Sequence, residues 1–352
     1  MKQIITAVIG CGTIANAAHI PSYKNNPVAR VKYFCDIIPE RASRAAQGYG
    51  GGKAVTDYRE VLADPEVEAV SICTPNRVHP EITIAALRSG KHVLCEKPAA
   101  KTYAEALEMQ KVQRETGKVL NIGVVNRFNT GVNKIKELID SGTLGEIYHV
   151  YMSFRSPRSI PGLGGDFTNR EVAGGGVLID WGVHFFDLAM YCLGDPRPRS
   201  ATAECYCKLG KEMREYTFVE MWAGPPQYDG ICDVEEFATG MVRTEGPTLT
   251  FNGAWAQNIG EEEKFIDFLG TKGGIRLQYC RDFVLYSTMN GMITQTRTQY
   301  PQRDMYQNEI DSFLQCVRTG EKSPAHIDQA VITSQILQAL YDSSTQHQEI
   351  KM

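Results

Sequence analysis

From residue 4 to residue 124 the chain alternates short, β-branched apolar runs with amphipathic stretches of helical length. A strand that is apolar on both faces has to be covered on both, and helices returning between such strands supply the cover. The pattern therefore implies a doubly wound parallel sheet. Strands are expected at 4–9, 31–35, 54–56, 69–73, 92–95 and 119–124. The helical stretch 79–89 closes on Gly90, and 102–116 opens with a Thr102/Glu105 capping box and closes on Gly117.

Past Val124 the rule changes. A helix over 131–141, stopped by Gly142, leads into strands of period-two alternation such as 146–154. A helical stretch over 175–193 precedes a strand-rich block from 201 to about 288, broken by Gly, Pro and Asn-Gly turns. Helices over 304–317 and 326–344 finish the chain. With 352 residues against roughly 150 per domain, two domains are expected. They are 1–124, a Rossmann-type α/β unit, and 125–352, an α+β unit with a large, open, mainly antiparallel sheet for substrate binding and self-association. No flexible linker, repeat or low-complexity tract separates them.

A net charge of −4 and the lack of a dense Lys/Arg block argue against nucleic acid as a partner. Apolar runs of six to eight residues fall far short of the roughly 20 that span a bilayer. The opening segment reads as a first strand rather than a leader, so a cytoplasmic protein is expected. Cysteines fall singly on apparent buried strands (Cys35, Cys73, Cys95, Cys280) and helices (Cys192, Cys316), which reads as free buried thiols. Cys205 and Cys207 share one strand face without a second pair to complete a zinc site, so no metal is expected.

The first strand ends in Gly10-Cys11-Gly12-Thr13-Ile14-Ala15, opening a helix. Glycines there let the backbone turn tightly and approach a pyrophosphate held by the helix N-terminal amides, while Ala15 keeps helix and strand close. Asp36 answers the loop at the end of the second strand, 21 residues after Ala15. Its carboxylate suits a free ribose 2′-hydroxyl and would repel a 2′-phosphate, which favours NAD over NADP. Arg41 and Arg44, on the following helix, are read as a solvated face.

Three more segments complete a pattern. Cys73-Thr74-Pro75-Asn76-Arg77-Val78-His79 follows the fourth strand, Glu96-Lys97-Pro98 the fifth, and Gly174-Gly175-Gly176-Val177-Leu178-Ile179-Asp180-Trp181-Gly182-Val183-His184 opens a helix in the second domain. With the glycine loop they resemble the Gfo/Idh/MocA oxidoreductases, and 233–243 and 270–274 extend the resemblance over essentially the whole chain. In a doubly wound sheet the crevice lies at the carboxyl ends of the strands, where Thr74–Asn76 and Glu96–Pro98 fall. The resemblance implies that Lys97 is catalytic, that the Lys97-Pro98 bond is cis, and that Asn76, His79 and Glu96 seat the nicotinamide or its ribose together with Thr74 and Pro75. Asp180 and His184, spaced i,i+4, share a helix face with Asp187 further along, so a carboxylate can orient an imidazole that moves a proton.

The implied reaction oxidises a ring hydroxyl of a sugar, glycoside or cyclitol to a ketone. His184 is expected as base, Lys97 as the cation on the developing alkoxide and Asp180 as the orienting carboxylate. Whether the lysine or the histidine moves the proton stays open. Arg127, Arg155, Arg158, Asn169 with Arg170, and Trp181 are candidate substrate contacts, and Trp222 a loop-tip aromatic near substrate or a second subunit. Two alternatives stand beside this reading. One is net glycoside hydrolysis through tightly bound NAD by oxidation, elimination and reduction; the other is a non-enzymatic dinucleotide sensor, which has no need of Lys97 with His184. A homodimer or homotetramer built on the second domain's sheet is expected.

Overall fold

The structure is a computed structural model that describes residues 3–219, 221–279 and 281–352, so Cys280 lies outside the described residues. It divides into two units. The first comprises Met1–Phe128 with Arg303–Val331, the second Asn129–Gln302 with Ile332–Met352.

In the first unit β1 (Ile4–Ile9), β2 (Ala29–Cys35), β3 (Lys53–Val55), β4 (Ala69–Ile72), β5 (His92–Glu96) and β6 (Leu120–Gly123) form a parallel sheet in the order β3-β2-β1-β4-β5-β6. The order reverses between β1 and β4, so the loops leaving these two strands flank the crevice that such sheets use for ligands. Alternate side chains divide between two cores. Ala7, Ile9, Val70, Ile72 and Val93 bury on one face; Ile4, Val8, Phe34 and Leu94 bury on the other. The second core is completed by Ile310, Phe313 and Leu314 of the helix Met305–Thr319. That packing explains why the expected boundary at 124 moves to Phe128 and why residues 303–331 return to the first unit. Each fully buried side chain of this kind contributes roughly 2 kcal/mol. The Thr102/Glu105 capping box and the left-handed Gly117 cap form as the sequence implies.

The second unit carries a nine-stranded sheet of β7 (Ile147–Arg155), β8 (Pro198–Tyr206), β9 (Phe237–Thr244), β10 (Thr248–Ala254), β11 (Glu263–Gly270), β12 (Gly273–Gln278), β13 (Phe283–Met289), β14 (Met292–Arg297) and β15 (Ile350–Lys351). Their order is β14-β13-β12-β11-β7-β10-β9-β8-β15. Every pairing is antiparallel except β10 with β7. One face is apolar by strict alternation, with Val150, Met152, Phe154, Leu249, Phe251, Ile266 and Phe268 all buried. Phe185 and Phe186 of the helix Val183–Cys192 close on it; the Phe154 and Phe185 rings lie 4.7 Å apart. Gly253 makes room for that contact, since a Cβ there would fall 1.8 Å from the Phe154 ring.

Candidate active site

The glycine loop leaves β1 as its residues require. Gly10 has φ 89°, and a Cβ on it would meet the Cys73 carbonyl at 2.5 Å, so β1 and β4 diverge around a residue that has to be glycine. A Cβ on Gly12 would meet nothing within 4 Å, which leaves its backbone facing open space at the start of the helix. Asp36, 8% exposed, accepts the Cys11 N–H at 2.9 Å and the Ile38 N–H at 2.9 Å, so its carboxylate is fixed beside the loop. The Thr74 hydroxyl, past the end of β4, is buried with no hydrogen-bond partner among the described residues. Open backbone at a helix start, a fixed carboxylate and an orphaned hydroxyl suit a dinucleotide. Arg41 and Arg44 are exposed.

Lys97 stands half-buried just past β5, and its bond to Pro98 is cis. Glu96 is 8% exposed. Its carboxylate accepts from His19 Nε2 at 2.8 Å and from the Lys97 N–H at 3.2 Å, and packs against the bare Cα of Gly123. His19 Nδ1 meets Ser71 Oγ at 3.2 Å, and Tyr23 reaches the same hydroxyl at 2.8 Å. Glu309, 2% exposed, completes a cluster with His19 and Glu96 whose ligating atoms lie within 4.8 Å of one another. Burial, then the charge of Glu96, pushes its carboxyl well above the usual range. Burial also opposes the charge on Glu96, but the hydrogen bond and charge of His19, with the charge of Lys97, hold it below. Sequence reading missed His19, Ser71, Tyr23 and Glu309, because nothing local marks residues that meet only beneath the strand ends.

His79, expected among the nicotinamide contacts, donates from Nδ1 to the Pro98 carbonyl at 2.8 Å and from Nε2 to the Thr74 carbonyl at 2.7 Å. Two carbonyls need two N–H donors, which only the imidazolium has. Burial works against that charge; the Cys95 side chain and the two carbonyls outweigh it and raise the pKa to about 9. The residue therefore ties together the two loops that carry Thr74 and Lys97.

In the second unit the glycine run is a docking surface for Glu235. A Cβ on Gly176 would lie 1.9 Å from the Glu235 carbonyl oxygen, and one on Gly175 2.1 Å from Tyr341 Oη. The Glu235 carboxylate, 2% exposed, accepts Gly176 N–H at 3.0 Å, Leu178 N–H at 3.1 Å and the Tyr341 hydroxyl at 2.8 Å. A carboxylate at the start of a helix satisfies its free amides and suits its dipole. The helix begins with a π turn, Leu178–Gly182, that carries Asp180 and Trp181, and continues as Val183–Cys192 with His184 half-buried in its first turn. The His184 and Tyr279 ring centroids are 6.4 Å apart, and Tyr279 stacks on Phe185 at 4.6 Å. Lys264 Nζ lies 3.9 Å over the Trp181 ring and pairs with Glu262 at 2.8 Å. A cavity of about 460 Å³ opens here, lined by Glu262, Lys264, Gln278, Tyr279 and Arg281.

The arginine candidates each have partners of their own within their units. Arg127 is 1% exposed in the first unit and donates to the Pro324 carbonyl at 2.8 Å, tying down the returning segment. Arg155 forks onto Glu263 at 2.6 and 3.1 Å; next to inward Phe154, it projects from the opposite face of the sheet. Arg158 holds the Gln257 carbonyl at 2.8 Å and Asn258 at 2.6 Å, and Asn169 caps Arg170–Ala173 by accepting the Glu171 N–H at 3.0 Å. One Trp181 face is covered by Lys264, and Trp222, 57% exposed, meets Phe167 edge-on at 4.9 Å.

A parallel sheet with this loop chemistry is an NAD-binding Rossmann oxidoreductase domain, and residues 4–124 match the family description "Oxidoreductase family, NAD-binding Rossmann fold". Residues 132–276 match the "GFO/IDH/MocA C-terminal domain". The chain belongs to the Gfo/Idh/MocA oxidoreductase family. It is 33% identical over 341 residues to D-glucoside 3-dehydrogenase of Escherichia coli, covering 96% of this chain and 94% of that protein. With myo-inositol 2-dehydrogenase of Thermotoga maritima it shares 26% identity over 318 residues, 89% of this chain and 88% of the relative. Its fold matches levoglucosan dehydrogenase in complex with NADH at TM-score 0.87 and 21% identity, over 99% of both chains. Among the described residues no helix is long and apolar enough to cross a membrane.

Proposed function

We propose that this protein oxidises a ring hydroxyl of a sugar, glycoside or cyclitol to a ketone, with NAD as hydride acceptor. The reading is carried by the near full-length relationship to D-glucoside 3-dehydrogenase. Placement of Lys97 past the end of β5 and of Asp180 and His184 on the helix opened by the glycine run supports it. Bound NAD supplies the electrophilic carbon that takes the hydride. Gly10 and Gly12 admit the pyrophosphate, and Asp36 receives the ribose hydroxyl, which favours NAD over NADP. His184 takes the hydroxyl proton, the Lys97 ammonium stabilises the developing alkoxide, and Asp180 orients the imidazole. The wall formed by Lys264 and Tyr279 beside His184 suits the remaining hydroxyls of a ring.

The test follows absorbance of reduced nicotinamide while purified protein meets free sugars, glycosides and inositols, with NAD and separately with NADP. A rise with NAD and one substrate class is expected, lost in Lys97→Ala and His184→Ala while both variants still bind NAD. Release of sugar from a glycoside without added cofactor would transfer the reading to an internal redox cycle. The protein self-associates as a homodimer or homotetramer through the outer face of the nine-stranded sheet. That face exposes Leu269 at 36% beside half-buried Tyr151 and Phe265, and light scattering after gel filtration tests the assembly.

A further inference from the structure

Beneath the strand ends of the first sheet, three buried side chains converge to which the proposed reaction gives no part. His19 closes the π turn Ala15–His19 behind the glycine loop, Glu96 ends β5, and Glu309 comes from the returning helix Met305–Thr319. They are 1%, 8% and 2% exposed, and one ligating atom of each lies within 4.8 Å of the other two. The contacts that hold them are already in place. His19 turns Nε2 to Glu96 Oε1 at 2.8 Å while its Nδ1 meets Ser71 Oγ, which Tyr23 holds in turn. Glu96 accepts the Lys97 N–H with its other oxygen. Glu309 Oε1, by contrast, is buried with no hydrogen-bond partner among the described residues. A buried carboxylate oxygen left unpartnered beside a second carboxylate needs either a proton or a cation.

We propose that His19, Glu96 and Glu309 are the ligands of a single divalent transition-metal ion, best matched by manganese, that fastens the returning helix beneath the ends of the sheet. One imidazole nitrogen and two carboxylates form a donor set without thiolate, and their two negative charges balance the two positive charges of the ion. Around an octahedral ion with ligands at about 2.1 Å, neighbouring donors stand about 3.0 Å apart and opposite ones about 4.2 Å. The 2.8 Å between His19 Nε2 and Glu96 Oε1 is close to that of neighbouring corners, so a cation replaces the hydrogen shared between them without pulling the pair apart. A small rotation of the longer-reaching Glu309 side chain closes the remaining distance. With Nε2 on the ion, the imidazole proton sits on Nδ1 and donates to Ser71 Oγ, the second contact that orients a metal-bound histidine. A proton that Glu309 carries in the metal-free chain leaves on binding. The ion's part is structural, and the proposal stands apart from the identity of the sugar substrate.

The test uses the full chain, stripped with a chelator, desalted and titrated with manganese(II) while electron paramagnetic resonance follows the free ion. Expected are one ion bound per chain, nitrogen modulation from one histidine in the pulsed spectrum, and a rise in the urea concentration at which buried Cys35 and Cys95 become open to maleimide. His19→Gln and Glu309→Gln should each weaken binding about tenfold or more, and His19→Gln should abolish the nitrogen modulation. Glu66→Gln, at an exposed carboxylate paired with Lys32, should change neither. Failure of the unmutated chain to take up one ion, or uptake without nitrogen modulation, overturns the proposal, and neither measurement needs a variant to fold. Unchanged affinity in either ligand variant overturns it as well.

Discussion

Replacing His79 by Gln removes a buried cation that holds two carbonyls, and the size of the loss should depend on pH. In the folded chain the imidazole pKa is about 9 against 6.5 as the ordinary value. A group whose folded pKa is raised contributes stability fully below its unfolded pKa and loses it as pH rises through the folded one. At 1.36 kcal/mol per unit, His79 contributes about 3 kcal/mol near pH 6, about 2 near pH 7.5 and almost nothing near pH 9.5. Tryptophan fluorescence would miss this, because Trp181, Trp222 and Trp255 all belong to the second unit. The first unit has its own reporters in the buried thiols of Cys11, Cys35, Cys73 and Cys95. After equilibration in urea at each pH, a brief maleimide pulse at one fixed pH counts the thiols unmasked. The gap in midpoint between wild type and His79→Gln should be wide near pH 6 and shrink to a small pH-independent remainder near pH 9.5. A gap that stays constant, or nitrogen shifts showing a neutral His79 near pH 7.5, would refute the two-carbonyl argument.

Asp36→Ser removes the carboxylate that repels a 2′-phosphate, so NAD binding should weaken about tenfold and the NAD to NADP preference collapse in steady-state kinetics; equal use of both cofactors by the unmutated chain would contradict it. Glu309→Gln replaces a carboxyl kept protonated by burial. The wild type loses stability as pH rises through the raised pKa and the amide does not, so the variant should gain on the wild type toward alkaline pH in the same thiol assay. Gly253→Ala forces a methyl into the Phe154 ring and should cost on the order of 2 kcal/mol in urea denaturation followed by tryptophan fluorescence. Gly176→Ala, clashing with the Glu235 carbonyl oxygen, should lower turnover while leaving NAD affinity unchanged.

What was legible in the sequence follows from the range of the interactions involved. The six strands of the first unit lie within a residue or two of their expected limits, because unbroken apolar runs and glycine stops are local signals. Asp36 was readable because its distance from the glycine loop is set by one strand–helix–strand unit. The arginines were not. Arg127, Arg155 and Arg158 sit beside motif residues in sequence, yet their guanidinium groups are spent on Pro324, Glu263, and Gln257 with Asn258. Those partners lie about 100 residues away or more. His19 and Glu96, 77 residues apart, were hidden from local reading in the same way. Composition suggests that a charge has a partner; only the fold says which.

The chain passes between its two units three times, at residues 128/129, 302/303 and 331/332. The consequence is one of modularity. A gene fragment ending near residue 124 encodes every strand of the first sheet but none of Ile310, Phe313 and Leu314, and would expose the apolar face they cover. A premature stop near residue 300 would remove the same side chains and, with them, Ile332–Met352 of the second unit. Anyone exchanging nucleotide-binding halves between relatives should therefore carry residues 303–331 with the N-terminal segment, as one graft in two pieces.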